Sequence, residues 1–197
     1  MRWPNLFDDL EAQFAAEHGL ERAAVDAERA RAARARQTLL ERVAQFVRDA
    51  GDEATVNVTA RGVPMSLRVL DVGLDWISGE EQGSGGSALG GHRGMAIVSA
   101  SAIDAIEFLD PASARPVPGE ASPVIRRLGI VSPLRELARR RRTVLVRAVT
   151  LERVGTIDAV GSDYLELAVH EPGVPPRSAA VRQRLLVPVA QLVVVRG

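Results

Sequence analysis

The chain has 197 residues, 46% of them apolar, with no cysteine and no net charge. That length suffices for one medium domain or two small ones, each with a buried core. The lack of cysteine excludes disulfides and thiolate metal sites and fits a reducing compartment, and no apolar run reaches the ~20 residues that span a bilayer.

The opening, MRWPNLFDDLEAQF, carries acidic residues where a signal peptide has its apolar core. A cytoplasmic protein with no membrane contact is expected. All 25 basic residues are arginine, the mark of a GC-rich genome, so an arginine carries little information by itself. Residues 1–120 hold 12 Arg and 19 Asp/Glu, a net −7, and residues 121–197 hold 13 and 6, a net +7. Such parts attract each other, a second copy, or an anionic partner.

Residues 1–36 read as an N-terminal helical extension. Leu6, Leu10 and Phe14 recur every four residues and share a helix face. With Trp3 and Phe7 they form the candidate partner-binding patch, set against the plainer reading of a short helix packed on its own domain. Residues 20–50 contain no Gly or Pro and read as one long helix. Its first half is alanine and charge; its second half buries Leu39, Val43, Phe46, Val47 and Ala50, and Gly51 is a natural stop.

Residues 55–108 are strand-like, with a turn at Arg61-Gly62 and a Gly/Ser tract over 83–91. Four prolines between 110 and 123 mark a linker. Ser132-Pro133 then predicts a second helix, serine as cap and proline at its first position, and strands follow to the end. The expected domains are 1–36, a first barrel with its leading helix over 37–109, a linker over 110–131, and a second barrel with its helix over 132–197.

The two halves match. Asp75-Trp76-Ile77 and Asp163-Tyr164-Leu165 lie 88 apart; Val98 and Ile103 match Val187 and Leu192 at 89. One helix and about five bent strands per half predict an α+β fold: a long N-terminal helix followed by two tandem small β-barrels.

The second half resembles the Sm-like superfamily, with its Hfq and LSm members, through Gly155-Thr156-Ile157, Asp163-Tyr164-Leu165-Glu166 and the closing run 186–195. The same Gly-x-Ile-Asp and Leu-Val-Pro-Val pattern is also similar to PRC-barrel domains, which serve largely as protein-interaction modules. The whole chain is similar to a group of actinobacterial proteins. The Sm-like resemblance implies a five-stranded barrel. The family's RNA site is not carried over, since Glu166, and Ser78 in the first half, stand where the family has its base-contacting asparagine, and an acid there would repel RNA.

No residue set resembles a catalytic, cofactor or metal site. His18, His92 and His170 are scattered without ligand spacing. The 83–90 loop lacks the Lys-Ser/Thr of a phosphate loop. Glu80 and Glu81 point to opposite faces of a strand. The expectation is therefore a non-enzymatic interaction or assembly module, with a protein partner or self-association. The alternative is nucleic-acid binding, RNA more than DNA, through Arg126, Arg127, Arg135, Arg139, Arg140, Arg141, Arg142 and Arg147. Their competing reading is a solvated helix end favoured by the helix dipole.

Overall fold

A computed structural model describes residues 3–51, 54–82, 94–108, 127–171 and 183–197, and for residues 3–17 and 34 the backbone alone. Helix α1 (Trp3–Arg36) belongs to one compact unit. A second unit holds α2 (Leu39–Ala50), α3 (Val131–Arg140) and ten strands.

Helix α1 runs unbroken through Gly19, so no separate short helix precedes the long one. The expected helix over 20–50 is interrupted instead at Gln37-Thr38. Thr38-Leu-Leu-Glu41 has the Ser/Thr-x-x-Glu pattern that starts a helix, and α2 begins right after Thr38. Val43, Ala44 and Phe46 of α2 are buried, whereas Leu39 stays exposed.

The first five strands are β1 (Thr55–Ala60), β2 (Val63–Val72), β3 (Trp76–Gln82), β4 (Met95–Ser99) and β5 (Ile103–Phe108). The second five are β6 (Thr143–Ala148), β7 (Glu152–Val160), β8 (Tyr164–Val169), β9 (Gln183–Pro188) and β10 (Leu192–Arg196). Strand β1 alternates half-buried and buried residues, sending Val56, Val58 and Ala60 inward. Arg61 and Gly62 close β1 onto β2 with φ of 46° and 74°, as a type I′ hairpin turn requires.

The expectation of two separate barrels is overturned here. The strands form one open antiparallel sheet in the order β5-β1-β2-β3-β4-β10-β6-β7-β8-β9. Each half keeps the same internal order, its fifth strand beside its first. The outer edge of β4 does not close on its own half. It pairs with β10, matching Val98 to Val194, Ile97 to Val195 and Ala96 to Arg196. Closure and this pairing satisfy the same backbone groups, and the second option fuses the halves.

The cores are fused too. Val193 and Val194 of the second half belong to the first hydrophobic cluster, with Val43, Phe46, Val56, Leu67 and Val98. Trp76 and Ile97 of the first half belong to the second cluster, with Leu134, Ile157, Leu165 and Val195.

The start of α3 also differs from expectation. The helix begins at Val131, with Ile130 in the cap position and no side-chain bond from a cap residue. Asp75, from the turn before β3, accepts the Ile130 N–H at 2.7 Å. Trp76 Nε1–H and the Leu74 N–H both donate to the Leu128 carbonyl, at 2.9 and 3.0 Å. The β2–β3 turn therefore seats the helix of the other half.

Candidate interaction surface

The two halves repeat at the level of single hydrogen bonds. The Gly73 N–H donates to the Trp76 carbonyl at 2.8 Å, and the Gly161 N–H to the Tyr164 carbonyl at 2.8 Å. The Ala100 N–H donates to the Asp75 carbonyl at 2.8 Å, and the Val189 N–H to the Asp163 carbonyl at 2.7 Å. A bulge falls between Val69 and Asp71 on β2 and between Ile157 and Ala159 on β7. Ile77 pairs with Val98 across β3–β4, and Leu165 with Val187 across β8–β9. These pairs set Trp76 equivalent to Tyr164, and Ile97 equivalent to Leu186.

The environments of these equivalent residues diverge. Ile97 is 4% exposed and Leu186 68%; Trp76 is 4% exposed and Tyr164 38%. Chemistry does not cause the difference, since all four are large and largely apolar. Ile97 and Trp76 are covered because the second half abuts β4. Among the described strands nothing pairs with the outer edge of β9, where Leu186 stands, or with that of β5. An open edge with an exposed leucine in it is a template for another strand.

The edges differ in charge. Strand β5 exposes Asp104 and Glu107, and β9 exposes Arg184 and no acid. On the joint itself charge is already matched: both Arg196 Nε–H and an Arg196 Nη–H reach Glu81, at 2.9 and 3.1 Å. Glu80 pairs with Arg68 at 2.6 Å, so the adjacent glutamates do serve opposite faces, each held by an arginine.

The arginine group is split and largely engaged. Arg126 lies outside the described residues; Arg127 and Arg142 are exposed. Arg135 donates to the Gly161 carbonyl at 3.3 Å. Arg139 and Arg140, in the last turn of α3, both bind Glu136. Arg140, by its hydrogen bond, and then the charge of Arg139 hold the Glu136 carboxyl below its ordinary value. Arg141, at φ 48°, ends the helix and pairs with Asp158 at 3.1 Å. Arg147 lies apart in β6, against Glu152. Arg135 and Arg139 also line an open groove of about 670 Å³ with Leu128, Ser132 and Val160.

Trp3, Leu6, Phe7, Leu10 and Phe14 lie on α1, and their side chains fall outside the described residues. His92 and the 83–93 segment lie outside as well. His170 is buried, with Nε2 2.9 Å from Thr156 Oγ1 and Nδ1 2.9 Å from the Glu171 carbonyl, so its ring is held by structure. Among the described residues no three His, Cys, Asp or Glu side chains converge as a metal-holding group. No described helix is long and apolar enough to cross a membrane.

Sequence reasoning did not single out Leu186 or the Glu81–Arg196 pair as site residues. A signal for Leu186 exists: Leu185-Leu186-Val187 breaks the apolar–polar alternation of a strand with one wet face. No family model matches the chain, and searches of curated proteins and of solved structures find no similar protein.

Proposed function

We propose that this chain is a non-enzymatic assembly module that joins other polypeptide through the open edges of its sheet. The supporting observation is the contrast between Leu186, 68% exposed on β9, and its buried counterpart Ile97 on β4. Strand addition gives affinity through main-chain hydrogen bonds, and alternate side chains give it selectivity. The test is affinity purification of the full chain and of Leu186→Arg, side by side, from the native host. Material retained by the first and lost by the second supports the reading. Identical recovery by both sinks it.

Nucleic-acid binding is the second reading, favoured by the exposure of Arg127 before α3, Arg135 within it, and Arg139 to Arg142 at its C-terminal end. Phosphate contacts make affinity fall steeply with salt. RNA affinity that does so, and is lost when Arg139 to Arg142 become alanine, supports it. No binding at low salt removes it.

A further inference from the structure

The first turns of α1 carry a face that the rest of the helix lacks. At about 100° per residue, Trp3, Leu6, Phe7, Leu10 and Phe14 fall within one stripe roughly 100° wide. Asp9 lies on one flank of the stripe and Glu11 on the other. With Asp8 and Glu17 they make residues 3–17 acidic, and no arginine offsets them. Beyond Phe14 the stripe stops. The described side chains from His18 to Arg36 are exposed, apart from half-buried Ala30. About 33 Å of unbroken helix separates Phe14 from Arg36, so the stripe stands far from the break at Gln37-Thr38.

The groove between α3 and the end of β7 has the complementary chemistry. It is apolar at Leu128, Val131 and Val160, cationic at Arg135 and Arg139, and no acid is among its described lining residues. Leu128 is 40% exposed, and both arginines are exposed one turn apart on α3. The Arg139–Glu136 pair is open to water and is loosened at little cost. From Val131 to Arg139 the groove follows about 12 Å of α3, and the stripe from Trp3 to Phe14 covers about 17 Å of α1.

We infer that the first turns of α1 of a second copy lie in this groove, the Trp3–Phe14 stripe on its apolar wall and Asp9 and Glu11 toward Arg135 and Arg139. An amphipathic helix laid in a groove takes its affinity from the buried stripe and its selectivity from the charged rim. The charges of the two parts of the chain, −7 over 1–120 and +7 over 121–197, favour the pairing. A phosphate backbone would use the arginines and leave the apolar wall uncovered. Each copy offers one stripe and one groove, so a pair closes when both are used. The contact uses neither β5 nor β9 and stands apart from the edge reading.

The cysteine-free chain allows a direct test on the full-length protein. Leu10→Cys and Leu128→Cys chains are prepared separately, then treated with a short bismaleimide alone and mixed. The expected result is a linked pair that forms in the mixture and not in either chain alone. No gain on mixing, or equal linking of the Leu10→Cys chain with itself, overturns the inference. So does a chain carrying both cysteines that links only within itself. Sedimentation of the nuclease-treated, unaltered chain should show larger species as concentration rises; a chain that stays single overturns the inference. Arg135→Glu with Arg139→Glu, and separately Asp9→Arg with Glu11→Arg, should keep the fold by circular dichroism and weaken association by roughly tenfold or more. Mixing these two charge-reversed chains should restore it, because each supplies the groove or the helix that fits the other. Failure to recover on mixing overturns the inference. Leu186→Arg should leave the association intact; if it abolishes it, the sheet edge and not the groove holds the copies together.

Discussion

Arg196 and Glu81, 115 residues apart in sequence, meet across the β4–β10 joint in a two-pronged ion pair at 2.9 and 3.1 Å. The side chains are 15% and 27% exposed, so the pair is partly shielded from water. Below it, the Met95 N–H and Gly197 carbonyl, and the Gly197 N–H and Met95 carbonyl, close the ladder at 3.1 and 3.0 Å. The joint therefore carries both a ladder and a charge pair that names its register.

Arg196→Ala should lower stability to urea by about 2 kcal/mol, the worth of hydrogen bonds to a charged group. Glu81→Gln should cost less. The double variant should cost less than the sum of the two, because each residue's loss already strands the other. Additive losses would mean the pair contributes nothing as a pair.

Gly79 and Gly155 sit where another backbone passes close. A Cβ would fall 2.5 Å from the Arg68 carbonyl oxygen at Gly79, and 2.3 Å from that of Ala168 at Gly155. Neither oxygen can move without breaking its strand. Gly79→Ala and Gly155→Ala should each destabilise by roughly 1–3 kcal/mol, the cost of overpacking, measured by thermal unfolding.

Thr156→Val should destabilise through His170. The hydroxyl lies 2.9 Å from His170 Nε2, and both residues are buried. Valine keeps the shape and removes the partner, leaving a ring nitrogen unsatisfied at a cost of about 1–3 kcal/mol. Thr156→Ser should recover most of the loss. Equal stability of the valine and serine variants would show that the contact contributes nothing.

Glu136 gives a pH-dependent readout. Its folded value is depressed, first by the Arg140 hydrogen bond and then by the charge of Arg139. A depressed carboxyl favours the fold above its unfolded value, and the contribution is lost as pH falls through the folded one. Its NMR titration midpoint should lie below that of an ordinary glutamate and rise in Arg140→Ala. High salt should move it the same way, since the group is open to solvent.

Much of the local structure was legible. Val56 and Val58 alternate with polar neighbours and form β1; Arg61-Gly62 turns it into β2. The match of Asp75-Trp76-Ile77 with Asp163-Tyr164-Leu165 falls on equivalent turns with the same hydrogen bonds. The break at Thr38 was legible as well, in a capping pattern that the helical periodicity on either side obscured. The seat of α3 was not. Ser132 is a good cap by type, but the donor to be satisfied belongs to Ile130, and Asp75 reaches it across 55 positions of sequence.

By itself the sequence determined the elements: which residues alternate, where the chain turns, and that the same arrangement occurs twice. Those properties are local, set by side-chain period and by backbone conformation at a few turns. Only the tertiary structure decided how the edges were satisfied. Backbone N–H and C=O groups are the same at every residue, so nothing in the composition of β4 says whether it closes on its own half or pairs with β10. That choice buried Ile97 and Trp76, left Leu186 and Tyr164 in water, and made an open sheet out of two halves that each read as a barrel.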